Sequence, residues 1–158
     1  MFRIPNHKIK NAKRKFFPEN KTYTAAIKIE PKKEISYPSS GDKIYDKLKE
    51  KDYEKFGELI DDGIATKLLG YSNNLQNPME MECELITNGI DLDNYESPEA
   101  KALEPNFANW KLLLQVDSCS DGEGSMDFAG GGVIYYWIKK DDLLNKDFDK
   151  AWFGMQCY

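Results

Sequence analysis

The residues best placed to do chemistry lie between 117 and 127. Asp117, Asp121, Glu123 and Asp127 fall within eleven positions, with Gly122 and Gly124 between them. Hard cations such as Ca²⁺ or Mg²⁺ take several oxygen ligands, and a flexible loop can supply them. Against the calcium-loop template, counted from Asp117, positions 1, 5 and 6 agree. Position 3 is Cys119 and position 12 is Phe128, so two ligand positions fail. The bland alternative is a solvated loop joining two strands. Glu80, Glu82 and Glu84 form a second carboxylate series. On a helix they spread over different faces, which points to a solvated surface rather than an acid–base pair.

Other chemistries lack the residues they need. His7 is the only histidine, so neither a Ser-His-Asp nor a Cys-His arrangement can be assembled around the body of the chain. Cys83, Cys119 and Cys157 are widely spaced and form no closely spaced pair. With one histidine they make a poor structural zinc set. Buried, reduced thiols in a cytoplasmic protein are the simpler expectation, with Cys83 and Cys157 inside and unbonded. Gly130-Gly131-Gly132 precedes an apolar run of strand type, whereas a phosphate cradle requires a following helix N-terminus.

The elements that would position these groups can be read from periodicity. Tyr23 to Ile29 alternates with period two and predicts a strand, which Pro31 ends or leaves at an edge. Ile44 and Leu48, then Tyr53, Phe56, Leu59 and Ile60 with Asp52 as cap, predict two helices. The segment after Asn77 carries both patterns. Met79, Met81, Cys83 and Leu85 alternate as in a strand. The start signal Asn77-Pro78-Met79-Glu80 and the stop Asn88-Gly89 favour a helix burying Met79, Cys83 and Ile86. Ser97-Pro98-Glu99 opens a further short helix.

Strands are expected at 111–117, 133–139 and 151–157, with Trp110, Leu112, Leu114 and Val116 on one face of the first. Loops between consecutive strands predict antiparallel pairing. Helices and strands segregate along the chain, so the class is α+β, a mostly antiparallel sheet with helices packed on it.

Composition narrows the partners. The 158-residue chain suits one domain, and its 41% hydrophobic content can build a core without staples. No stretch reads as a membrane span or a secretory signal, which predicts a cytoplasmic protein. Residues 1–15 carry six bases and no acid. The chain as a whole is −5, so the remainder carries −11. A basic arm over 1–19 thus precedes an acidic domain over 20–158. Such a body repels phosphates, so nucleic acid is not expected as a partner.

Two segments carry a resemblance. The first runs Lys67-Leu68-Leu69-Gly70-Tyr71, Asn77-Pro78-Met79, Glu82-Cys83-Glu84-Leu85 and Asn88-Gly89. The second runs Trp110 to Ser118, Gly132, Tyr135-Tyr136-Trp137-Ile138, Asp142-Leu143, Asp147-Phe148, Trp152 and Gln156-Cys157-Tyr158. In this order they resemble the C-terminal half of the YwqG-like family, a family of unknown function. The family's Trp-Gly-Asp-x-Gly step is replaced here by Phe128-Ala129-Gly130-Gly131-Gly132.

The resemblance implies one repeat of a duplicated fold, with the first copy missing. A strand that is apolar on both sides must be covered on both. Tyr136, Trp137 and Phe153 are then the expected interface residues, in self-association through a two-fold or with another protein. The alternative cover is residues 1–20, with Phe2, Ile4, Ile9, Phe16 and Phe17. The resulting expectation is a non-catalytic binding or interaction module that needs no cofactor, with an immunity- or inhibitor-type role as one form of it. The alternative is a carboxylate- or cation-dependent enzyme using Asp117, Asp121, Glu123 and Asp127 with Ca²⁺ or Mg²⁺.

Overall fold

The computed structural model describes residues 30–38, 52, 55, 66–120 and 125–157. The strand expected at 23–29, most of the helical region 44–60 and the arm 1–19 lie outside these. Asp52 and Lys55 are both helical, and the start of that helix lies outside the described residues.

Four strands form an antiparallel sheet: β1 (Lys67–Leu68), β2 (Trp110–Asp117), β5 (Val133–Lys139) and β6 (Trp152–Gln156), in the spatial order β1-β2-β5-β6. A small hairpin, β3 (Cys119–Ser120) with β4 (Ser125–Met126), extends from the β2–β5 connection. The α+β architecture and the three long strands agree with the sequence expectation.

The register departs from it. A β-bulge between Leu112 and Leu114 adds one residue to β2, opposite the step from Trp137 to Tyr136. A one-residue insertion reverses every later side chain. Trp110 and Leu112 therefore share a face with Trp137, but Gln115 and Asp117 follow them. Leu114 and Val116 turn to the opposite face, beside Tyr136 and Ile134. The Leu113 carbonyl accepts from the Leu69 N–H at 3.2 Å, which helps dock the segment after β1.

Helix α1 (Met79–Thr87) covers the first face. It begins one residue later than the sequence signals suggest. Pro78, with ψ 116°, occupies the cap position and makes no side-chain capping bond. The Asn77 carbonyl instead accepts from Gln156 Nε2 at 3.0 Å. The stop is as read: Asn88 Nδ2 donates to the Glu84 carbonyl at 2.8 Å, and Gly89 takes φ +77°, which disfavours any residue with a Cβ.

The core holds Met79, Cys83, Trp110, Leu112, Val133, Tyr135 and Trp137. Ile86, expected inside, is exposed, and Glu84 and Leu85 are buried in its place. Cys83 is buried, but Cys157 is only partly so and Cys119 is exposed; all three are free thiols.

Helix α2 (Pro98–Leu103) is capped by Ser97, whose Oγ accepts from the Ala100 N–H at 3.1 Å. Helix α3 (Lys140–Asn145) leads into a 3-10 turn at Phe148–Lys150 before β6. Among the described residues no helix is long and apolar enough to cross a membrane.

Candidate functional site

The face of the sheet opposite α1 is apolar: Ile138, at one end of it, is fully buried, while Leu68, Phe153 and Met155 stay exposed. Register places Leu68 beside Leu114, Leu114 beside Tyr136, and Tyr136 beside Phe153, one residue from each of the four strands. These four form a row across the sheet. Val116, Ile134 and Met155 form a second row next to it by the same pairings. Leu68 is 70% exposed, Phe153 52% and Met155 45%. The rings of Tyr136 and Phe153 meet edge to face, with centroids 5.4 Å apart, the geometry aromatic quadrupoles prefer.

Phe148, 51% exposed, borders the rows. Its 3-10 turn is tied to α3 by Lys150, whose Nζ lies 2.6 Å from Asp142 Oδ1 and 3.1 Å from Asp147 Oδ2. Leu68, Leu113, Leu114, Tyr136, Phe148, Asp149 and Ala151 line a shallow groove of about 540 Å³. One acid and no base line it.

Of the residues expected at an interface, Tyr136 and Phe153 lie on this face. Trp137 points the other way. It is 2% exposed in the core under α1, because consecutive strand residues alternate sides. Its buried Nε1 has no hydrogen-bond partner among the described residues.

The acidic loop assembles differently from the cation template. Asp121 and Glu123 lie outside the described residues. Asp127 Oδ1 accepts from the Gly131 N–H at 2.8 Å, closing its own turn. Asp117 sits on the α1 side of the sheet, where burial raises its carboxyl above the ordinary range despite a hydrogen bond from the Ser118 backbone. Ser118 joins the two ends of the loop: its Oγ donates to the Gly132 carbonyl at 2.6 Å and accepts from the Phe128 N–H at 3.0 Å. Among the described residues no three His, Cys, Asp or Glu side chains gather as a metal-holding group.

The sequence reading missed the buried carboxylate. Glu84 is 2% exposed, not part of a solvated stripe. Its Oε2 accepts from Trp110 Nε1 at 2.7 Å and lies 3.1 Å from Lys139 Nζ. Its Oε1 accepts from Asn106 Nδ2 at 3.1 Å and Asn88 Nδ2 at 3.2 Å. Burial pushes its pKa up; the bonds from Trp110, Lys139 and Asn106, with the Lys139 charge, outweigh that and hold it below the ordinary value.

Lys139 also stacks 5.2 Å from the Trp110 ring centre. Both Glu84 oxygens are occupied twice, so this carboxylate fastens α1 to the sheet and has no free lone pair to act as a base. A signal was present: a buried tryptophan usually gives its indole N–H an acceptor, and Trp110 begins a strand read as core. Cys83, beside it on α1, has its thiol pushed far up by burial, Glu82 and Glu80, and is inert.

A family profile for a domain of unknown function, DUF1963, matches residues 3–157. The chain belongs to the DUF1963 family. No curated protein matches it at a significant level.

In this DUF1963 domain two buried glutamines hold the loop ahead of α1. Gln115 Oε1 accepts from the Asn73 N–H at 2.9 Å, and Tyr135 donates its hydroxyl to the Asn73 carbonyl at 2.7 Å. Gln156 Oε1 accepts from the N–H groups of Leu75 at 2.9 Å and Gln76 at 3.0 Å. These side chains pair with backbone groups of residues 73, 75 and 76 much as a neighbouring strand would.

Proposed function

We propose that this DUF1963 chain is a non-catalytic protein-binding module whose contact surface is the apolar face built from Leu68, Leu114, Tyr136 and Phe153. One observation carries the reading. Four strands place large apolar side chains in register on the face opposite α1, and Leu68, Phe153 and Met155 there remain about half or more exposed. Contiguous patches of this kind are interaction sites more often than ornament. The saturated bonding of Glu84 and the self-contained turn of Asp127 support a module without acid–base chemistry. The YwqG-like kinship, with this chain as one repeat of a duplicated fold, belongs to the same proposal, as does a cytoplasmic setting suited to three free thiols.

A photo-crosslinking residue in place of Phe153 tests it in cells. A control goes in place of Ile86, which is 42% exposed on the helix covering the other face. Adducts at 153 that disappear with Leu68→Glu, and none at 86, are expected. Equal labelling at both positions, or a rise of several degrees in melting temperature with Ca²⁺ or Mg²⁺, overturns the reading.

A further inference from the structure

We infer that the occupant of this face is a second copy of the chain, packed sheet to sheet about a two-fold axis. This inference rests on the face being an interaction surface at all.

The area comes first. Leu68, Phe148, Phe153 and Met155 are 45–70% exposed, roughly 100 Å² each for side chains of this size. With the half-buried Leu114, Val116, Ile134 and Tyr136, the patch is on the order of 600 Å², at the upper end of what a monomer shows. Two such patches bury about 1,200 Å² in total, where specific stable interfaces begin. A short peptide seated in the groove alone would bury less.

The shape is the second argument. Antiparallel sheets with one apolar face stack on another such face about 10 Å away. Two rows, one across four strands and one across three, present a broad surface for that. A two-fold sets the same residues against themselves, as an isologous contact requires.

Charge is the third argument. The chain is −5 overall, yet the groove is lined by one acid and otherwise by apolar side chains. Like charges are therefore not brought together at the centre of the contact. A basic partner would call for more acids around the groove than Asp149.

Sedimentation equilibrium of the full chain from about 1 to 100 µM, with melting curves, decides the matter. The expected result is a mass twice 18.2 kDa at the upper concentrations. Phe153→Glu and Leu68→Glu should each raise the dissociation constant at least about 100-fold and leave the monomer's melting temperature unchanged. Ile86→Glu should leave the dimer intact.

A wild-type monomer whose melting is unaffected by Phe153→Glu overturns the second copy and leaves the face free for a different protein. A wild-type monomer destabilised by Phe153→Glu means that the chain covers the face itself, and overturns both readings. A dimer broken only by Ile86→Glu places the contact on the other side of the sheet and overturns this inference.

Discussion

Replacing Glu84 by alanine should cost the fold about 3 kcal/mol. Two contributions make up that figure. Trp110 is 3% exposed and donates its indole N–H to Glu84 at 2.7 Å. Without that acceptor a buried donor is orphaned, at about 1–3 kcal/mol. Loss of the buried methylene adds about 1 kcal/mol. The Lys139 pair contributes little more, because the Lys139 side chain is 42% exposed and can return to water.

For a domain of this size, 3 kcal/mol lowers the melting temperature by about 6–12 °C. Glu84→Gln, which keeps the shape and one acceptor, should cost about 1–2 kcal/mol. The decisive measurement is a double-mutant cycle by urea unfolding. In a Trp110→Phe background the orphaned donor is gone, so Glu84→Ala should cost at least about 1 kcal/mol less than in the wild type.

The pH dependence has a defined sign. Glu84's folded pKa lies below the ordinary 4.5. Its contribution is complete above that value and is lost as pH falls through the folded pKa. Glu82 and Asp117, both raised by burial, act oppositely: their cost at neutral pH is relieved as pH falls through their raised values. The difference between wild type and Glu84→Gln isolates Glu84 and should shrink below pH 4.5. An alanine variant within about 0.5 kcal/mol of wild type, or an additive cycle, would refute the argument that this carboxylate fastens α1.

Two further outcomes can be checked on the same material. Gly154→Ala should lower stability by about 1–3 kcal/mol by overpacking, because a Cβ there would sit 2.5 Å from Trp152 Cζ3 and 2.9 Å from Met79 Cε. Equal urea midpoints for the two proteins would contradict this. Under native conditions a thiol reagent should modify exposed Cys119 first and leave buried Cys83 untouched until urea unfolds the chain; native labelling of Cys83 would refute its burial beneath α1.

Much of the sheet was legible because its strands carry strong local patterns. Val133–Lys139 is apolar on both sides, and the connections before and after it return the chain antiparallel. The helix at Met79–Thr87 was decided by Pro78 and Asn88-Gly89, against an alternating pattern that reads equally well as a strand.

What escaped the sequence has physical causes. The bulge falls inside Leu112-Leu113-Leu114, three identical side chains, so slipping by one changes nothing visible locally while reversing the faces of Leu114 and Val116. Glu84 looks like Glu80 and Glu82 until Trp110 and Lys139, 26 and 55 positions later, supply its partners. Trp137 and Tyr136 are adjacent aromatics, and only the register with Leu112 and Leu114 separates core from open face. The open face itself emerges when β1, two residues long, contributes Leu68.

The bonds from Gln156 to Leu75 and Gln76 also constrain the order in which the chain can fold during synthesis. Donor and acceptor are 80 and 81 positions apart. At about 5–20 residues per second, the loop ahead of α1 waits roughly 4–16 s for its amide partner to be made. Throughout that interval the N–H groups of residues 75 and 76 lack the side-chain oxygen that receives them in the folded domain, and the apolar side of α1 has no finished sheet to lie on. An N-terminal fragment ending before Gln156 is therefore expected to expose more apolar surface than the full chain, which binding of a hydrophobic dye would report.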